Sequence, residues 1–234
     1  MVVNNGTDQR TVEATFAFVD LAGYSVLTEI CGDHEAARLA ARLAELARTA
    51  LHPDVCLVKT IGDAVMLAAA TPEQMVATIG ELADLVADED GFLALRAGIH
   101  HGSAIHQGSD YYGHAVNIAA RVTALAGAGQ AVITEPIRET AAKLGRTPQP
   151  LGPTPLRNIT TPVELYTVAL TAARYPRDPV CGMRIDPATA PTRLRHNDHD
   201  WWFCSTECAH RFTAAPTHYT RQPHRGRLEQ ETRS

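Results

Sequence analysis

The sequence predicts an α+β fold in which helices pack on one mainly antiparallel sheet, followed by a small cysteine-containing α+β module. Apolar residues make up 45% of the 234 residues, which is enough for one medium domain and a small second one. Alanine-rich helical patterns alternate with short strand pairs as far as Leu170. Three of the five cysteines and both tryptophans come after position 180, which indicates a separate C-terminal unit.

The elements of the larger unit follow from periodicity and turn signals. Apolar runs bounded by turns predict strands over 13–20, 54–60, 64–70, 92–100, 103–107, 130–134 and 163–169. Alanine and leucine at helical spacing predict helices over 34–51, 72–88, 114–126 and 135–144. Asp33 is the expected N-cap of the first of these helices, and Thr71 with Pro72 is expected to begin the second. The tight turn 61–63 joins its two flanking strands as a hairpin.

The stretch 171–179, which follows Leu170, contains two prolines and has no periodicity, so we expect a linker over 171–177. This divides the chain into a flexible N-terminus over 1–12, a main domain over 13–170, a C-terminal domain over 178–220 and a disordered tail over 221–234. A net charge of −5 argues against nucleic acid as a partner. No apolar run is long enough for a membrane helix, and the N-terminus does not resemble a secretory signal, so we expect a cytoplasmic protein with no membrane partner.

Two aspartates follow or join predicted strands of the main domain. Asp20 closes an apolar strand, and Asp63 lies at the tip of the hairpin. Each has an ordinary structural interpretation, as a helix cap or as a turn residue. Carboxylates at neighbouring strand ends can instead share a pair of divalent ions, an arrangement that serves phosphoryl transfer.

The small residues after Asp20 suit an anion site. Backbone amides of Leu21, Ala22, Gly23, Tyr24 and Ser25 can face a ligand just before a helix begins. Amides at a helix N-terminus bind phosphate groups well. This segment therefore predicts contact with a phosphate chain that a neighbouring carboxylate could bridge through Mg²⁺.

The segment 110–121 places three polar side chains together. Asn117 and Arg121 are four residues apart and share one helical face, and Asp110 precedes them. The face could simply be solvated. It could also direct hydrogen-bond donors at phosphate charge.

Four ordered motifs, FAFVDLAGYS, VKTIGDAVM, LRAGIHHGSA and DYYGHAVNIAARVTALAGAGQAVIT, resemble the class III adenylate/guanylate cyclase catalytic domain over about residues 13–169. The resemblance implies that family's ferredoxin-like, palm-type sheet and the conversion of ATP into cyclic AMP and pyrophosphate. It also implies that Asp20, Asp63 and the Leu21 carbonyl hold two Mg²⁺ or Mn²⁺ ions per site.

The resemblance gives further roles. Lys59 would donate to adenine N1 and Asp110 would accept from the N6 amine, which favours ATP over GTP. Asn117 would position the ribose, and Arg121 would stabilise charge on the transferring phosphate.

Two basic residues, Arg96 and Arg157, lie where the family places phosphate-binding groups. Arg157 stands where lysine is usual, and the segment between Gly102 and Asp110 is shorter than the hairpin arm of many relatives. Because the family builds its site between two domains, a chain with one such domain is expected to act as a head-to-tail homodimer.

The C-terminal motifs DPVCGM and FCSTECAHRF resemble the YHS domain, a small module of metal-handling proteins, over about 177–220. Cys204 and Cys208 are one helical turn apart, and Cys181 could add a third thiolate for Zn²⁺ or Cu⁺. His199 and His210 are candidate fourth ligands. The cysteines could equally be reduced core residues, or could sense redox state.

Three other functions stay open beside the adenylate cyclase. The same pocket could make cyclic GMP. It could bind nucleotide without turnover, or the main domain could be a scaffold for a metal-sensing signalling protein.

Overall fold

The structure is a computed structural model that describes residues 9–220. Its strands are β1 (Gln9–Leu21), β2 (Val55–Ile61), β3 (Ala64–Ala69), β4 (Leu95–Gln107), β5 (Asp110–Tyr112), β6 (Gln130–Thr134), β7 (Gln149–Thr154), β8 (Val163–Ala169), β9 (Thr192–His196) and β10 (His199–Phe203). Its helices are α1 (Tyr24–Cys31), α2 (Asp33–Thr49), α3 (Pro72–Ala87), α4 (His114–Thr123), α5 (Glu135–Lys143), α6 (Thr206–Ala214) and α7 (Pro216–Thr220).

One sheet of eight strands organises the main unit. Its order is β2-β3-β1-β4-β6-β8-β7, and β5 pairs with β4 beside this path. All neighbours are antiparallel except β4 and β6, which run parallel. The predicted mixed fold with a central sheet and packed helices is therefore confirmed, with one parallel pair that the sequence did not indicate.

The two faces of the sheet carry different cores. Ala17, Val19 and Leu21 of β1 join the large core beneath α2, α3 and α5. The alternate residues of β1, including Phe16, face the smaller core beneath α4. We call the side covered by α4 the second face.

Helix α4 can approach the second face because position 98 is glycine. A Cβ on Gly98 would lie 2.3 Å from the backbone nitrogen of Thr123 and 2.7 Å from the carbonyl oxygen of Ala119. No side chain fits at that separation, so Gly98 sets the distance between β4 and the helix.

The predicted N-cap is observed for α3 but not for α2. Thr71 caps α3 in a reciprocal capping box with Gln74, with Pro72 in the first turn, as predicted. Asp33 was expected to cap α2, but the cap is Gly32, with φ 86°, and Asp33 is the first helical residue. Gly32 adopts the left-handed φ needed for the sharp bend after Cys31, so the cap moves back by one residue.

Four element predictions require correction. The strands predicted over 92–100 and 103–107 are the single strand β4, because a glycine at 102 does not break pairing with β1. Strand β1 begins at Gln9, so residues 9–12 are not a flexible terminus. Strands β5 and β7 are not indicated by the sequence pattern, and α1 is expected there only as a helix after residues 21–25, without bounds. The predicted flexibility of residues 1–8 and the predicted disorder of residues 221–234 concern positions outside the described residues.

The C-terminal elements pack against the main unit. Phe203 and Phe212 are buried with ring centroids 5.2 Å apart, and they belong to the same large core as Phe92. Phe92 and Arg184 form an isolated antiparallel bridge between the two units. Among the described residues, no helix has the length and apolarity needed to span a bilayer.

Candidate active site

Asp20 lies at the end of β1 on the second face of the sheet. Its Cα partners across the neighbouring strands are Ala64 and Arg96. Arg96 Nε donates to Asp20 Oδ1 at 2.5 Å, so the carboxylate is already oriented by a cation. The Asp20 side chain is 15% exposed.

Asp63 lies in the turn after Gly62, next to the residue that pairs with Asp20. Gly62 has φ 60°, a conformation that suits glycine in a two-residue hairpin turn. Burial raises the pKa of Asp63 above its usual value, and the negative charge of Asp20 raises it further. The strand register and this repulsion place the two carboxylates near each other. A cation placed between them would relieve this repulsion.

The loop after Asp20 leads directly into α1. Gly23 has φ 89° and precedes the first helical residue, Tyr24. The Ala22 amide donates to the Ala94 carbonyl at 2.8 Å, so it extends the sheet and is not free to face a ligand as predicted. The amides of the first turn, at Gly23, Tyr24 and Ser25, have no acceptor within an α-helix and remain the candidates. Leu21, within the strand, is buried.

Lys59 and Asp110 meet on the second face. Lys59 Nζ donates to both carboxylate oxygens of Asp110, at 2.8 and 2.6 Å. Lys59 pairs with the buried Met66 across β2 and β3, after an irregularity that follows Leu57. The hydrogen bond from Lys59 lowers the pKa of Asp110, which keeps the carboxylate charged. The structure thus joins two residues that are 51 positions apart.

Asn117 and Arg121 lie on α4, one turn apart. Asn117 is exposed, and Arg121 is half-buried. The Nε of Arg121 is buried without a hydrogen-bond partner in the described part of the chain. An unpaired guanidinium nitrogen of this kind is costly unless an acceptor reaches it.

Arg96 and Arg157 lie at different places. Arg96 faces Asp20 at the start of β4. Arg157 is exposed in the turn between β7 and β8, and β8 pairs Leu165 with Thr134 at the far end of β6. Gln130, at the other end of β6, pairs with Arg96, which in turn pairs with Asp20. The register therefore places Arg157 toward the end of the strands opposite to Asp20.

A second candidate site lies where the C-terminal unit meets α1. The ligand atoms of Cys31, Cys181, Cys204 and Cys208 all lie within 4.8 Å of one another. Cys31, at the end of α1, was not anticipated, because nothing in its local sequence connects it to cysteines 150 or more positions away. The only available signal was the missing fourth ligand of the C-terminal motif.

The two histidines proposed as that fourth ligand lie elsewhere. His199 and His210 are exposed and do not belong to the cluster, so both candidates are wrong for it.

Comparison with known proteins gives matches over most of the chain. The model of the adenylate and guanylate cyclase catalytic domain matches residues 7–169. A pH-sensitive adenylate cyclase of Mycobacterium tuberculosis is 38% identical over 169 residues, which is 69% of this chain and 42% of that protein. The chain therefore spans less than half the length of that relative.

A solved structure and a transporter extend the comparison. Adenylate cyclases of Trypanosoma brucei, solved in their monomeric state, have a structure that is 20% identical with a TM-score of 0.60, covering 74% of this chain and 93% of that one. At this identity the likeness concerns the fold alone. A silver exporting P-type ATPase of Salmonella typhimurium is 46% identical over 43 residues, which is 18% of this chain and 5% of the transporter.

Proposed function

The chain belongs to the adenylate and guanylate cyclase catalytic-domain family, and from this premise we propose that it converts ATP into 3′,5′-cyclic AMP and pyrophosphate. The observation that carries the proposal is the convergence of Asp20 and Asp63 at adjoining strand ends, beside the first turn of α1. The M. tuberculosis relative, an adenylate cyclase by name, supports the choice of reaction.

Enzymes of this family use divalent metal ions. Asp20 and Asp63, which we call the acidic edge, offer suitable ligands for such ions. Asp20 and Asp63 repel each other, and their oxygens are the ligands that Mg²⁺ and Mn²⁺ prefer. These two carboxylates and the Leu21 carbonyl would hold the ions. When bound, the ions neutralise charge on the triphosphate and polarise the reacting oxygens.

The chain's own groups orient and neutralise the substrate. The ribose 3′-oxygen forms a bond to the α-phosphorus and loses its proton, while the bond from that phosphorus to the β-phosphate oxygen breaks and pyrophosphate leaves. Asn117 would hold the ribose in line for this attack. Arg121, Arg96 and Arg157 would offset phosphate charge, together with the free amides at Gly23, Tyr24 and Ser25.

Lys59 and Asp110 would select the purine. Adenine presents an acceptor, N1, beside a donor, the N6 amine, and a lysine adjacent to an aspartate complements that pair. Guanine presents a donor and a carbonyl acceptor at the same edge, so it would face both side chains with the wrong polarity.

The double variant Lys59→Glu with Asp110→Cys tests this selection against the guanylate cyclase alternative. We expect the ratio of ATP to GTP turnover to fall by at least about tenfold, since each mismatched hydrogen bond costs about 1 kcal/mol or more. An unchanged ratio means that these side chains do not read the base.

A head-to-tail homodimer would complete the site. The support for it is that Arg157 and Asp20 lie toward opposite ends of the strands in one chain. A second copy could bring the two together. The β4–β5 hairpin, which turns within residues 108–109, is the short arm that would contact that copy.

The decisive experiment measures cyclic AMP from ATP with Mg²⁺ or Mn²⁺ across a range of protein concentrations. We expect product, with a rate per chain that rises with concentration as dimers form. The absence of cyclic AMP at high protein concentration, with ATP still bound, would favour a nucleotide-binding protein without turnover.

The C-terminal unit would be a YHS module joined through a linker at 171–177. Support comes from the cyclase family model, which ends at residue 169 and leaves the C-terminal unit outside it, and from a match of 43 residues to a silver exporting ATPase. Cys181, Cys204 and Cys208 would hold a soft ion such as Zn²⁺ or Cu⁺ there, or respond to redox state.

A further inference from the structure

The cysteine cluster draws on both units of the chain. Cys181 and Cys204 have their sulfurs 3.5 Å apart, as do Cys204 and Cys208. Cys31 comes from the end of α1 in the main unit and lies with the other three inside the 4.8 Å limit. Four sulfurs held about 2.3 Å from a tetrahedral ion would be about 3.8 Å apart, so the observed spacing fits such an ion with little movement.

A buried carboxylate holds the backbone of the cluster. Asp178 is fully buried, and its Oδ1 accepts from the amides of Val180 and Cys181 at 2.8 and 3.4 Å. Its other oxygen accepts from the Cys204 amide at 2.9 Å. One side chain therefore fixes two of the cysteines, as groups behind metal ligands do.

The chemistry of the sulfurs also suits a cation. A thiolate is the form that binds metal. Four soft donors in a closed tetrahedral set are typical of zinc sites.

Helix α1 connects this cluster to the active-site loop. It begins at Tyr24, directly after Gly23, and ends at Cys31, a span of about 10 Å. Of its eight residues only Leu27 is fully buried, while Tyr24, Ile30 and Cys31 are partly buried against the large core. A bond to the sulfur of its last residue would fix the helix at the end opposite the candidate phosphate amides.

We propose that Cys31, Cys181, Cys204 and Cys208 form one four-thiolate site for Zn²⁺ that joins α1 to the C-terminal unit. Occupancy of this site orders α1 and with it the first-turn amides at Gly23, Tyr24 and Ser25. The metal site stands by itself, whereas its effect on turnover rests on the proposed cyclase function.

Metal binding is tested on the full chain with Zn²⁺ and Co²⁺ as probes. We expect one equivalent of Zn²⁺, and for Co²⁺ a thiolate charge-transfer absorption appropriate to four sulfurs. Cys31→Ser should lower Zn²⁺ affinity by at least about 100-fold and reduce that absorption by about a quarter. Cys56→Ser is the matched control, since Cys56 is exposed on β2 and outside the cluster.

Alkylation gives a second measurement that needs no variant. Zn²⁺ should protect Cys31 from iodoacetamide in the wild-type chain while Cys56 continues to react. Equal reactivity of Cys31 with and without zinc overturns the four-thiolate site, as does zinc affinity that Cys31→Ser leaves unchanged. The same measurement with Cu⁺ tests which ion the cysteines bind. The proposal is also overturned if Cu⁺ binds equally well to Cys31→Ser while the wild-type chain does not bind Zn²⁺ through four thiolates.

Coupling is tested by cyclic AMP formation at fixed Mn²⁺. Removing zinc should lower the rate of the wild-type chain at least about threefold, a change of about 0.7 kcal/mol, and should not affect Cys31→Ser. A zinc effect that persists in Cys31→Ser arises elsewhere and overturns the coupling. Four-thiolate binding in a chain that makes no cyclic AMP supports the metal site and counts against the proposed function alone.

Discussion

The acidic edge at Asp20 and Asp63 and the cysteine cluster are built in opposite ways. The acidic edge comes from residues on neighbouring strands, and the pairing of Asp20 with Ala64 brings Asp63 beside it. The cluster gathers one cysteine each from α1, from the loop before β9, from the turn after β10 and from the first turn of α6. Strand register therefore explains the first site, whereas only the packing of two units explains the second.

Their surroundings differ too. At the acidic edge, Asp20 is partly exposed and paired with Arg96, so it can exchange one positive partner for another. At the cluster, Cys181 and Cys208 are buried and Asp178 is fully enclosed. The acidic edge is thus suited to a substrate and ions that exchange with solvent. The cluster is suited to a permanently bound structural ion.

The variant Asp20→Asn should affect the acidic edge and leave the cysteine cluster unchanged. If the acidic edge alone performs the chemistry, cyclic AMP formation should fall about 10³-fold, because a charge-stabilising ligand is lost. Zinc binding at the cluster should not change. Glu135→Gln, which removes an exposed carboxylate from the ion pair with Arg138 on α5, is the matched control and should keep full activity. Comparable activity in both variants would contradict the assignment.

The second comparison tests how α4 is held over the second face. Gly98→Ala should lower the free energy of unfolding by about 3 kcal/mol, because its Cβ would clash with the backbone of α4. Gly80→Ala is the control: there the Cβ meets only the flexible end of Arg146, and alanine favours the helix. Denaturant melts of both variants give the answer, and equal stability would mean that α4 is not closely packed at Gly98.

The third prediction concerns the support of the cluster. Asp178→Asn should destabilise the chain by about 2 kcal/mol, because an amide cannot accept all three backbone hydrogen bonds and would bury a donor. Zinc affinity should fall about 10- to 100-fold. Asp198→Asn, at a position whose side chain is 98% exposed, should change neither quantity. Unaltered zinc affinity in Asp178→Asn would show that the carboxylate does not position the cysteines.

The smallest effect is a pH dependence of stability outside both sites. Burial, then the neighbouring His101 and His114, lowers the pKa of His100 from 6.5 to about 4. The folded chain therefore binds fewer protons there than the unfolded chain, and stability is lost as the pH falls below 6.5. Between pH 6.5 and 5.5 the loss is about 1 kcal/mol.

Chemical melts across this pH range measure the effect. His100→Gln can keep the contact with Thr134, seen at 2.8 Å, and should remove the additional loss. His34→Gln, at an exposed position on α2, should retain it. An acid sensitivity that is identical in both variants would assign the effect to other groups.

Most of the main unit could be predicted from the sequence because its signals are local. The capping box at Thr71 and the hairpin turn at Gly62 need only a few neighbouring residues. The bounds of helix α1 do not follow from the pattern, because its eight residues contain a single fully buried side chain, too few to give a periodicity. Strand β4 was divided in two because a glycine usually interrupts a strand, whereas here pairing with β1 continues through Gly102.

The candidate site divides in the same way. The positions of Asp20, Asp63, Lys59 and Asp110 follow from motif order, and the structure brings each pair together. The contact of Arg96 with Asp20 and the use of the Ala22 amide by the sheet could not be predicted. Both depend on which strand lies beside β1, and that is a nonlocal choice.

The sequence by itself determined the mixed fold, the family and the candidate residues Asp20, Asp63, Lys59 and Asp110, because all of these lie in short motifs with a fixed order. Tertiary structure alone decided that Cys31 joins Cys181, Cys204 and Cys208. Local periodicity encodes which face of an element is buried, but not which distant element covers it. That choice is made by packing the whole core, where Phe92 and Phe212 belong to one cluster.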